Sequence, residues 1–306
     1  MLSRTLVLKV SSWPIVERIV RRSFLFKGLV KRFIAGDTLD EALKVAEDLA
    51  ARGYFVTMDL LGESVADEGE ARKAKDTYIE MLKSIAASPC APRTNISIKL
   101  TQCGLDLSDE FAEKNLREVL WAASELNNFV RVDMEASAYT ERTVDIMLRV
   151  GEDFKNTGTV LQTYLYRTPD DVDKMIKAGM RVRLVKGAYL EPAEVAFPEK
   201  SKVDEAYVTL GKRLMKEGNY PALATQDEKI IAELKQFAAD EGIDKSRFEW
   251  QMLIGVRRDL QEQLRSEGYN VRIYVPFGDR WYPYFTRRLA ERPANVLFIL
   301  KSLFKG

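Results

Sequence analysis

Residues 37–61, DTLDEALKVAEDLAARGYFVTMDLL, join a charged amphipathic segment to a short run of β-branched and aromatic residues. The first part predicts a helix, because Asp37 or Thr38 can serve as its N-cap, acidic residues fill its first turn and Gly53 follows its end. The second part, YFVTMDLL at 54–61, has the composition and length of a strand. The stretch therefore predicts one helix–strand unit.

Seven further runs of strand-like composition follow, and longer charged, amphipathic stretches separate them. These runs are NISIKL (95–100), FVRVDME (129–135), TVLQTYL (159–165), RVRLVKG (181–187), ALATQD (222–227), FEWQML (248–253) and NVRIYVP (270–276). Parallel pairing is expected, because each connection is long enough for a crossover helix. Eight such units in about 250 residues predict an α/β protein with a (β/α)8 TIM-type barrel.

An open, doubly wound sheet is the structural alternative to the barrel. Such sheets usually begin with a glycine-rich turn, and neither GxGxxG nor GxxxxGK[ST] occurs in this sequence. The barrel is therefore the favoured fold, and a dinucleotide would have to bind without the Rossmann fingerprint.

The composition favours a soluble globular protein with a large core. The 306 residues are 46% hydrophobic and 30% charged, and the formal net charge is +1, which argues against a disordered chain or a nucleic-acid binder. We find no linker-like segment. We therefore expect one barrel domain over residues 37–306, with a C-terminal helix across its mouth, preceded by a helical arm at 1–36.

The chain contains no histidine and only two cysteines, Cys90 and Cys103. The absence of histidine excludes Ser-His-Asp and Cys-His nucleophiles and the common histidine zinc sites, and no metal site is predicted. Acid–base chemistry must then fall to carboxylates, Lys, Tyr or a cofactor. We expect both cysteines to be packing residues in a reducing, cytoplasmic compartment.

The first 33 residues are apolar and basic, with Glu17 as their single acid. Lys9 interrupts the first apolar run, no small-residue cleavage site follows, and no stretch reaches the length of a membrane span, so neither a signal peptide nor a span is expected. An amphipathic basic helix could rest on an anionic membrane surface, at the inner face of the cell membrane. The favoured alternative is an arm that packs on its own barrel.

Polar residues cluster at the predicted carboxyl ends of the strands, where the active sites of such barrels lie. They are Glu63, Lys99, Asp133, Glu135, Gln162, Arg183, Lys186, Thr225, Gln226, Asp227 and Tyr274. Polar groups in a barrel wall are costly unless they are paired or face a ligand. A ring of them therefore predicts a polar site, although a structural ion pair of Lys99 with Asp133 remains an alternative for those two.

The segment YPYFTRRLAERPANVLF, at 282–298, carries two adjacent arginines, Arg287 and Arg288. Arginine forks bind carboxylates and phosphates, so the pair favours an anionic substrate or a phosphorylated cofactor. Neighbouring helical side chains diverge by about 100°, so both reach inward only if the helix lies across the barrel mouth. Glu291 is spaced to hold either arginine. A solvated basic face is the alternative, but it leaves the neighbouring tyrosines unexplained.

Several segments together resemble the bacterial monofunctional proline dehydrogenases, whose catalytic domain also occurs in the bifunctional PutA proteins. They are ISIKLTQCGLDLS, VRVDMEAS, VLQTYLYRT, VRLVKGAYLEP, FEWQML and YVPFG followed by YPYFTRRLAERPAN. The resemblance implies a distorted (β/α)8 barrel with noncovalent FAD at its mouth. It also implies oxidation of L-proline to Δ1-pyrroline-5-carboxylate, a membrane quinone as electron acceptor, and a Δ1-pyrroline-5-carboxylate dehydrogenase as a further partner.

The resemblance also implies roles for individual residues. On the substrate side, the cations on the proline carboxylate match Arg287, Arg288 and Lys99, and the residues packing on the ring match Tyr274 and Leu253. Glu291 matches the acid that supports the arginines. Glu63 matches an acid that pairs with Arg287 as a gate. For the flavin, Arg183 matches the arginine near the reactive edge, Asp133 the active-site carboxylate, and Met134, Gln162, Val185, Lys186, Gly187, Ala188, Thr225 and Gln226 the lining positions.

Two positions depart from the family pattern. Gln226 stands where the family usually has His, and Gln keeps a donor and an acceptor but cannot become cationic. Ile254 stands where Tyr or His is common. Because neither change removes a residue that grips the carboxylate, we expect retained FAD binding with altered kinetics.

Two alternative functions are consistent with the same residues. A Schiff-base aldolase-type barrel would use Lys99 or Lys186, with Asp133 as its proton shuttle. A catalytically silent barrel would dock on membranes through its basic arm. A bound flavin favours the dehydrogenase over both alternatives.

Overall fold

The computed structural model describes Trp13, Glu17, Arg18, Val20 and residues 24–290 of the chain. In this part of the chain, eight parallel strands form a closed barrel in which each strand pairs with the next and the eighth pairs with the first. The strands are β1 (Phe55–Leu60), β2 (Thr94–Lys99), β3 (Val130–Asp133), β4 (Thr157–Gln162), β5 (Arg181–Val185), β6 (Ala222–Ala224), β7 (Glu249–Leu253) and β8 (Asn270–Phe277). The predicted barrel is confirmed, and the open sheet is wrong.

Helices alternate with the strands and surround them. They are α1 (Phe24–Phe33), α2 (Leu39–Ala51), α3 (Glu68–Ala86), α4 (Asp109–Glu125), α5 (Ser137–Asp153), α6 (Thr168–Lys177), α7 (Lys200–Glu217), α8 (Glu228–Asp240), α9 (Arg258–Ser266) and α10 (Tyr282–Ala290). Thr38 is the N-cap of α2, and its side chain and that of Glu41 form a reciprocal capping box. The predicted strands 129–135, 159–165, 181–187 and 222–227 run two or three residues past the observed strand ends, because those residues leave the barrel wall and enter the loops.

The barrel interior is polar, and the apolar core lies between the strands and the helices. On β2, Ile96 and Ile98 face the outer layer and are fully buried. The alternate residue Ser97 points into the barrel, where its hydroxyl oxygen accepts a hydrogen bond from Arg183 of β5 at 3.0 Å. Because side chains alternate along a strand, the same strands that build the core also hold charged groups inside the barrel.

The described end of the N-terminal arm packs on the carboxyl end of the barrel. Val20, Phe33 and Ile34 belong to a buried apolar cluster with Trp281 and Phe285. The exact limit of the arm at residue 36 remains a prediction, and most of the basic segment lies outside the described residues. Of the helices described, none has the length and apolar character needed to cross a membrane.

Gly255 is the close contact between the arm and the barrel. Its φ is +73°, Arg32 Nε donates to its carbonyl oxygen at 2.8 Å, and a Cβ at this position would lie 1.9 Å from the carbonyl oxygen of Arg32. Any side chain here would therefore force the arm away from the barrel.

Gly255→Ala is expected to lower the free energy of unfolding by about 3 kcal/mol, because a left-handed conformation and a backbone clash add together. Gly242→Ala is the matched control, since Gly242 has φ +65° but open space around its Cα. That control should cost only about 1 kcal/mol. Urea unfolding measures both values, and equal losses would contradict the close packing of the arm.

Both cysteines are free and buried, as predicted. Burial, and to a smaller extent the charge of Glu135, raise the pKa of the Cys103 thiol to about 12. Cys103 is therefore a packing residue and not a reactive thiol.

Candidate active site

Lys99, the last residue of β2, forms a buried ion pair with Asp59 of β1. Its Nζ lies 2.9 and 3.1 Å from the two carboxylate oxygens, and the side chains are 8% and 0% exposed. Burial by itself lowers the pKa of Lys99, but the charges of Asp59 and Asp133 more than offset this, and the pKa lies above its usual range. Lys99 is therefore protonated. The alternative pairing of Lys99 with Asp133 is wrong, because Asp59 takes that position.

Asp133, the last residue of β3, is held by groups from opposite sides of the barrel. Its carboxylate accepts from Arg183 Nη1 at 2.6 Å and from the Tyr274 hydroxyl at 3.2 Å. The Arg183 guanidinium also lies over the Tyr274 ring, 5.5 Å from its centroid. Burial, then the charges of Asp59 and Asp133, raise the pKa of Tyr274 well above its usual range. Tyr274 therefore keeps its proton and acts as a hydrogen-bond donor.

Helix α10 brings Arg287 to the mouth of the barrel. Arg287 Nη2 lies 2.7 Å from Glu63 Oε1 in the loop after β1, and its guanidinium lies 5.6 Å from the centroid of the Tyr189 ring, in the loop after β5. Burial lowers the pKa of Arg287, but Glu63 and Tyr189 raise it more, so the net shift is upward. The helix thus spans the mouth between two loops.

Arg288 contacts Tyr284, whose ring lies at the mouth of the barrel. Its guanidinium lies 5.3 Å from the centroid of the Tyr284 ring, and that ring stacks on Tyr274 with a centroid separation of 6.5 Å. The two arginines therefore face the mouth from different sides, as the angle between neighbouring helical side chains requires. Glu291, which was expected to support them, lies outside the described residues.

Tyr189 marks the point where the charged groups of the mouth converge. Burial and the charge of Glu63 raise its pKa, whereas the charges of Arg287 and Lys99 lower it, and the pKa ends above its usual range. Tyr189 therefore lies near both Lys99, at the end of β2, and Arg287, on α10. The cations predicted from distant parts of the sequence thus meet around one tyrosine.

Glu135 and Gln162 serve the framework of the site. The Glu135 carboxylate accepts from Thr101 N at 3.2 Å and Thr101 Oγ1 at 2.6 Å, and Gln162 Nε2 donates to the Glu135 carbonyl oxygen at 2.8 Å. Burial raises the pKa of Glu135, which the Thr101 hydrogen bonds and Lys99 oppose. These contacts tie the ends of β2, β3 and β4 together.

Lys186 joins the loop after β5 to two carboxylates. Its Nζ lies 2.6 Å from Asp204 Oδ1 and 3.0 Å from Asp227 Oδ2. Burial raises the pKa of Asp227, but the hydrogen bond and charge of Lys186 lower it more. A Schiff base needs a neutral amine. Lys99 is protonated, which argues against the aldolase alternative for that residue, and the Nζ of Lys186 is engaged by Asp204 and Asp227.

Residues after β5 and β6 fit the ring edge of a flavin. Gln226 Oε1 is buried and meets no hydrogen-bond donor in the described chain, and an N–H on a flavin ring edge can satisfy it. Gly187 has φ +122°, and a Cβ there would lie 2.5 Å from the Tyr164 ring. Thr225, next to Gln226, and Met134, which follows β3, are also buried. The unpartnered acceptor of Gln226 therefore suits a flavin ring edge.

Leu253 and Ile254, two further positions singled out in the sequence, lie beside Tyr274. Leu253 ends β7 and packs in the apolar cluster that contains Trp281 and Phe285. Ile254 follows it, and its backbone N–H donates to the Tyr274 carbonyl oxygen at 3.1 Å. The Ile254 side chain is half-buried against the core.

Sequence reasoning missed Asp59 and Tyr189. Site residues of such a barrel are expected at strand ends, whereas Asp59 lies inside the apolar run YFVTMDLL, where a lone acid is itself a signal. Tyr189 stands in VRLVKGAYLEP, three residues beyond Lys186, and no pattern in that segment distinguishes it. The contacts of both residues with the site form only when the barrel closes.

A closed barrel with balanced cations, carboxylates and tyrosines at its carboxyl-end mouth defines a TIM-type barrel enzyme for a small anionic substrate. The family model described as "Proline dehydrogenase" matches residues 42–301. The chain belongs to the proline dehydrogenase family. It is an enzyme that oxidises proline in proline catabolism, and membership of the family implies a flavin cofactor.

Relatives support this assignment along most of the chain. The chain is 43% identical over 275 residues to proline dehydrogenase 1 of Bacillus subtilis, covering 90% of each sequence. It is 38% identical over 308 residues to the proline dehydrogenase of Deinococcus radiodurans, covering 100% of this chain and 99% of that one. The crystal structure of proline utilization A from Bdellovibrio bacteriovorus, inactivated by N-propargylglycine, superimposes with a TM-score of 0.82 and 26% identity. That match covers 94% of this chain but only 36% of the longer PutA chain.

Proposed function

We propose that the chain is an FAD-dependent L-proline dehydrogenase that forms Δ1-pyrroline-5-carboxylate by hydride transfer to the flavin. The observation that carries the proposal is that Lys99 and Arg287 both lie near Tyr189, while Arg288 lies over Tyr284, whose ring stacks on Tyr274. This arrangement suits a small ring that carries one carboxylate. An uncharged substrate would offer these cations no anionic group to bind, and a larger one would not suit the same arrangement.

The substrate carboxylate is bound by Arg287 and Arg288, with Lys99 as a third donor. Both oxygens of the Asp59 carboxylate lie on one side of the Lys99 ammonium, which carries three N–H donors, so N–H groups remain for a ligand. Because Asp59 balances its charge, Lys99 acts through this hydrogen bond more than through net charge. Glu63, paired with Arg287, closes over the bound substrate, and Glu291 supports the arginines.

The proline ring lies against Tyr274 and Leu253. Their apolar surfaces hold the ring while the carboxylate fixes its direction, so the reacting carbon has one orientation. Hydride leaves the carbon next to the ring nitrogen, and this requires a neutral amine. Tyr274 is held by Asp133, which also fixes Arg183.

The flavin supplies a two-electron acceptor for the hydride. Arg183 holds a buried positive charge that stabilises the negative charge accompanying this transfer. The residues proposed to hold the cofactor are Met134, Gln162, Arg183, Val185, Lys186, Gly187, Ala188, Thr225 and Gln226. In this set Lys186 is positioned by Asp204 and Asp227.

Two partners are proposed, one that accepts the electrons from the flavin and one that uses the product. A membrane quinone accepts the electrons, which requires peripheral contact between a cytoplasmic protein and the inner face of the membrane. The imine product needs a second oxidation to reach glutamate, so a Δ1-pyrroline-5-carboxylate dehydrogenase is the expected next enzyme.

The purified protein is expected to show flavin absorbance near about 450 nm and to lose it on addition of L-proline without oxygen. N-propargylglycine, which inactivated the Bdellovibrio PutA, should abolish this response. A protein that stays colourless after incubation with FAD contradicts the proposal. Liposome binding by such a colourless protein would instead support the silent, membrane-docking barrel.

A further inference from the structure

The loop between β1 and α3, residues 61–67, combines a charged contact with backbone strain. Glu63 in this loop pairs with Arg287, and the next residue, Ser64, has φ +38°. A non-glycine residue in this region costs free energy and persists only where its surroundings hold it. Something outside the loop must therefore stabilise this conformation.

Thr101, in the turn after β2, supplies that contact. Its Oγ1 accepts a hydrogen bond from the Ser64 backbone N–H at 3.2 Å and donates to Glu135 Oε2 at 2.6 Å. Thr101 is fully buried and Glu135 is 5% exposed. A backbone N–H can only donate, so the Thr101 oxygen accepts from Ser64 and its hydroxyl proton is directed to Glu135.

The residue on the other side of Glu63 is also confined. A Cβ on Gly62 would lie 2.4 Å from Gln102 Nε2, and the Gln102 Oε1 accepts from the buried Tyr78 hydroxyl. The loop is therefore packed against the 101–102 turn both before and after Glu63. The backbone at Glu63 is therefore restricted to a narrow range of positions.

We infer that Thr101 and Glu135 are positioning residues that hold the loop in its strained form and so place Glu63 on Arg287 over the bound substrate. The inference rests on the proposed function, because it assigns a means of control to the same site. Release of the Thr101 hydrogen bond relaxes Ser64 and withdraws Glu63. Thr101 acts through Glu63 and has no contact of its own with the substrate.

Thr101→Val removes the hydroxyl at nearly constant volume and is expected to raise the KM for L-proline about tenfold, with kcat changed less than about threefold, as loss of one buried hydrogen bond predicts. Thr101→Ser restores the hydroxyl and should stay within about threefold of wild type. Thr140→Val is the matched control, because the buried Thr140 hydroxyl meets no hydrogen-bond partner in the described chain. It should leave KM unchanged.

The double variant Thr101→Val/Glu63→Gln tests the route of action. If Thr101 acts through Glu63, adding Thr101→Val to Glu63→Gln should change KM less than about twofold, since residues in one chain of contacts are not additive. Full additivity would overturn the inference. Equal KM values for Thr101→Val and Thr101→Ser would also overturn it.

A measurement on the wild-type protein covers the case in which Thr101→Val does not fold. Hydrogen exchange of the segment 61–67 should show a protected Ser64 amide, because its acceptor is buried. Exchange as fast as in an exposed loop contradicts the inference. Failure of the proposed function is recognised separately, since wild-type protein would then not be reduced by L-proline.

Discussion

Arg287→Met is expected to lower kcat/KM for L-proline about a thousandfold. In the proposed site Arg287 donates to the substrate carboxylate. Removing one partner of such a desolvated, hydrogen-bonded charge pair costs about 4 kcal/mol, which is about three decades in rate. The variant also leaves Glu63 unpaired beside that carboxylate, where the two negative charges repel.

Steady-state kinetics at saturating electron acceptor measure this effect. Arg247→Met is the control, because Arg247 is exposed in the turn before β7, at the opposite end of the barrel. It should stay within about twofold of wild type. If the kcat/KM of Arg287→Met matched that of the control, Arg287 would not be part of the substrate site.

Lys99→Met is expected to lower the free energy of unfolding by about 3–5 kcal/mol, because it leaves the fully buried Asp59 carboxylate without its cation. The double variant Lys99→Met/Asp59→Asn should recover most of that loss, since the isolated charge is gone. Lys212→Met breaks a surface pair with Glu233 and should cost less than about 1 kcal/mol. Chemical unfolding compares the four proteins.

The pH dependence of the Lys99 effect has a defined sign. The pKa of Lys99 is raised on folding, so its contribution is fully present below the unfolded-state pKa of about 10.4 and is lost only as the pH rises through the higher folded-state value. The difference between wild type and Lys99→Met should therefore persist between about pH 6 and about pH 9, and it should grow with pH as Asp59, whose pKa burial raises, ionises without its cation. A difference that disappears over this range would mean that Lys99 is not held as a protonated partner of Asp59.

The fold could be predicted from the sequence because each unit signals itself locally. The run at 54–61 is rich in strand-forming residues, and the preceding helix carries its cap at Thr38 and its stop at Gly53. Eight helix–strand units are compatible with few topologies, since each helix-length connection places the next strand parallel to the one before it. Strand ends were less certain, because β6 contains only Ala222–Ala224 and the polar residues after it turn into the mouth.

The pairings within the site could not be predicted in the same way. Lys99 lies at the end of one strand, and nothing in its neighbourhood in the sequence indicates that Asp59, 40 residues earlier, is its partner. The contact depends on barrel closure and on the side of the strand that each residue faces. Asp133 likewise meets Arg183 and Tyr274 only because β5 and β8 face β3 across the interior.

The central claim is that cations at the barrel mouth hold the carboxylate of the substrate beside the flavin. The direct test is an anaerobic spectral titration of the purified protein with L-proline and with pyrrolidine, which has the same ring without the carboxylate. We predict that L-proline bleaches the flavin band and that pyrrolidine needs at least about a hundredfold higher concentration, because it forgoes the charge-assisted hydrogen bonds. Equal bleaching by the two compounds, or none by L-proline, would contradict the account.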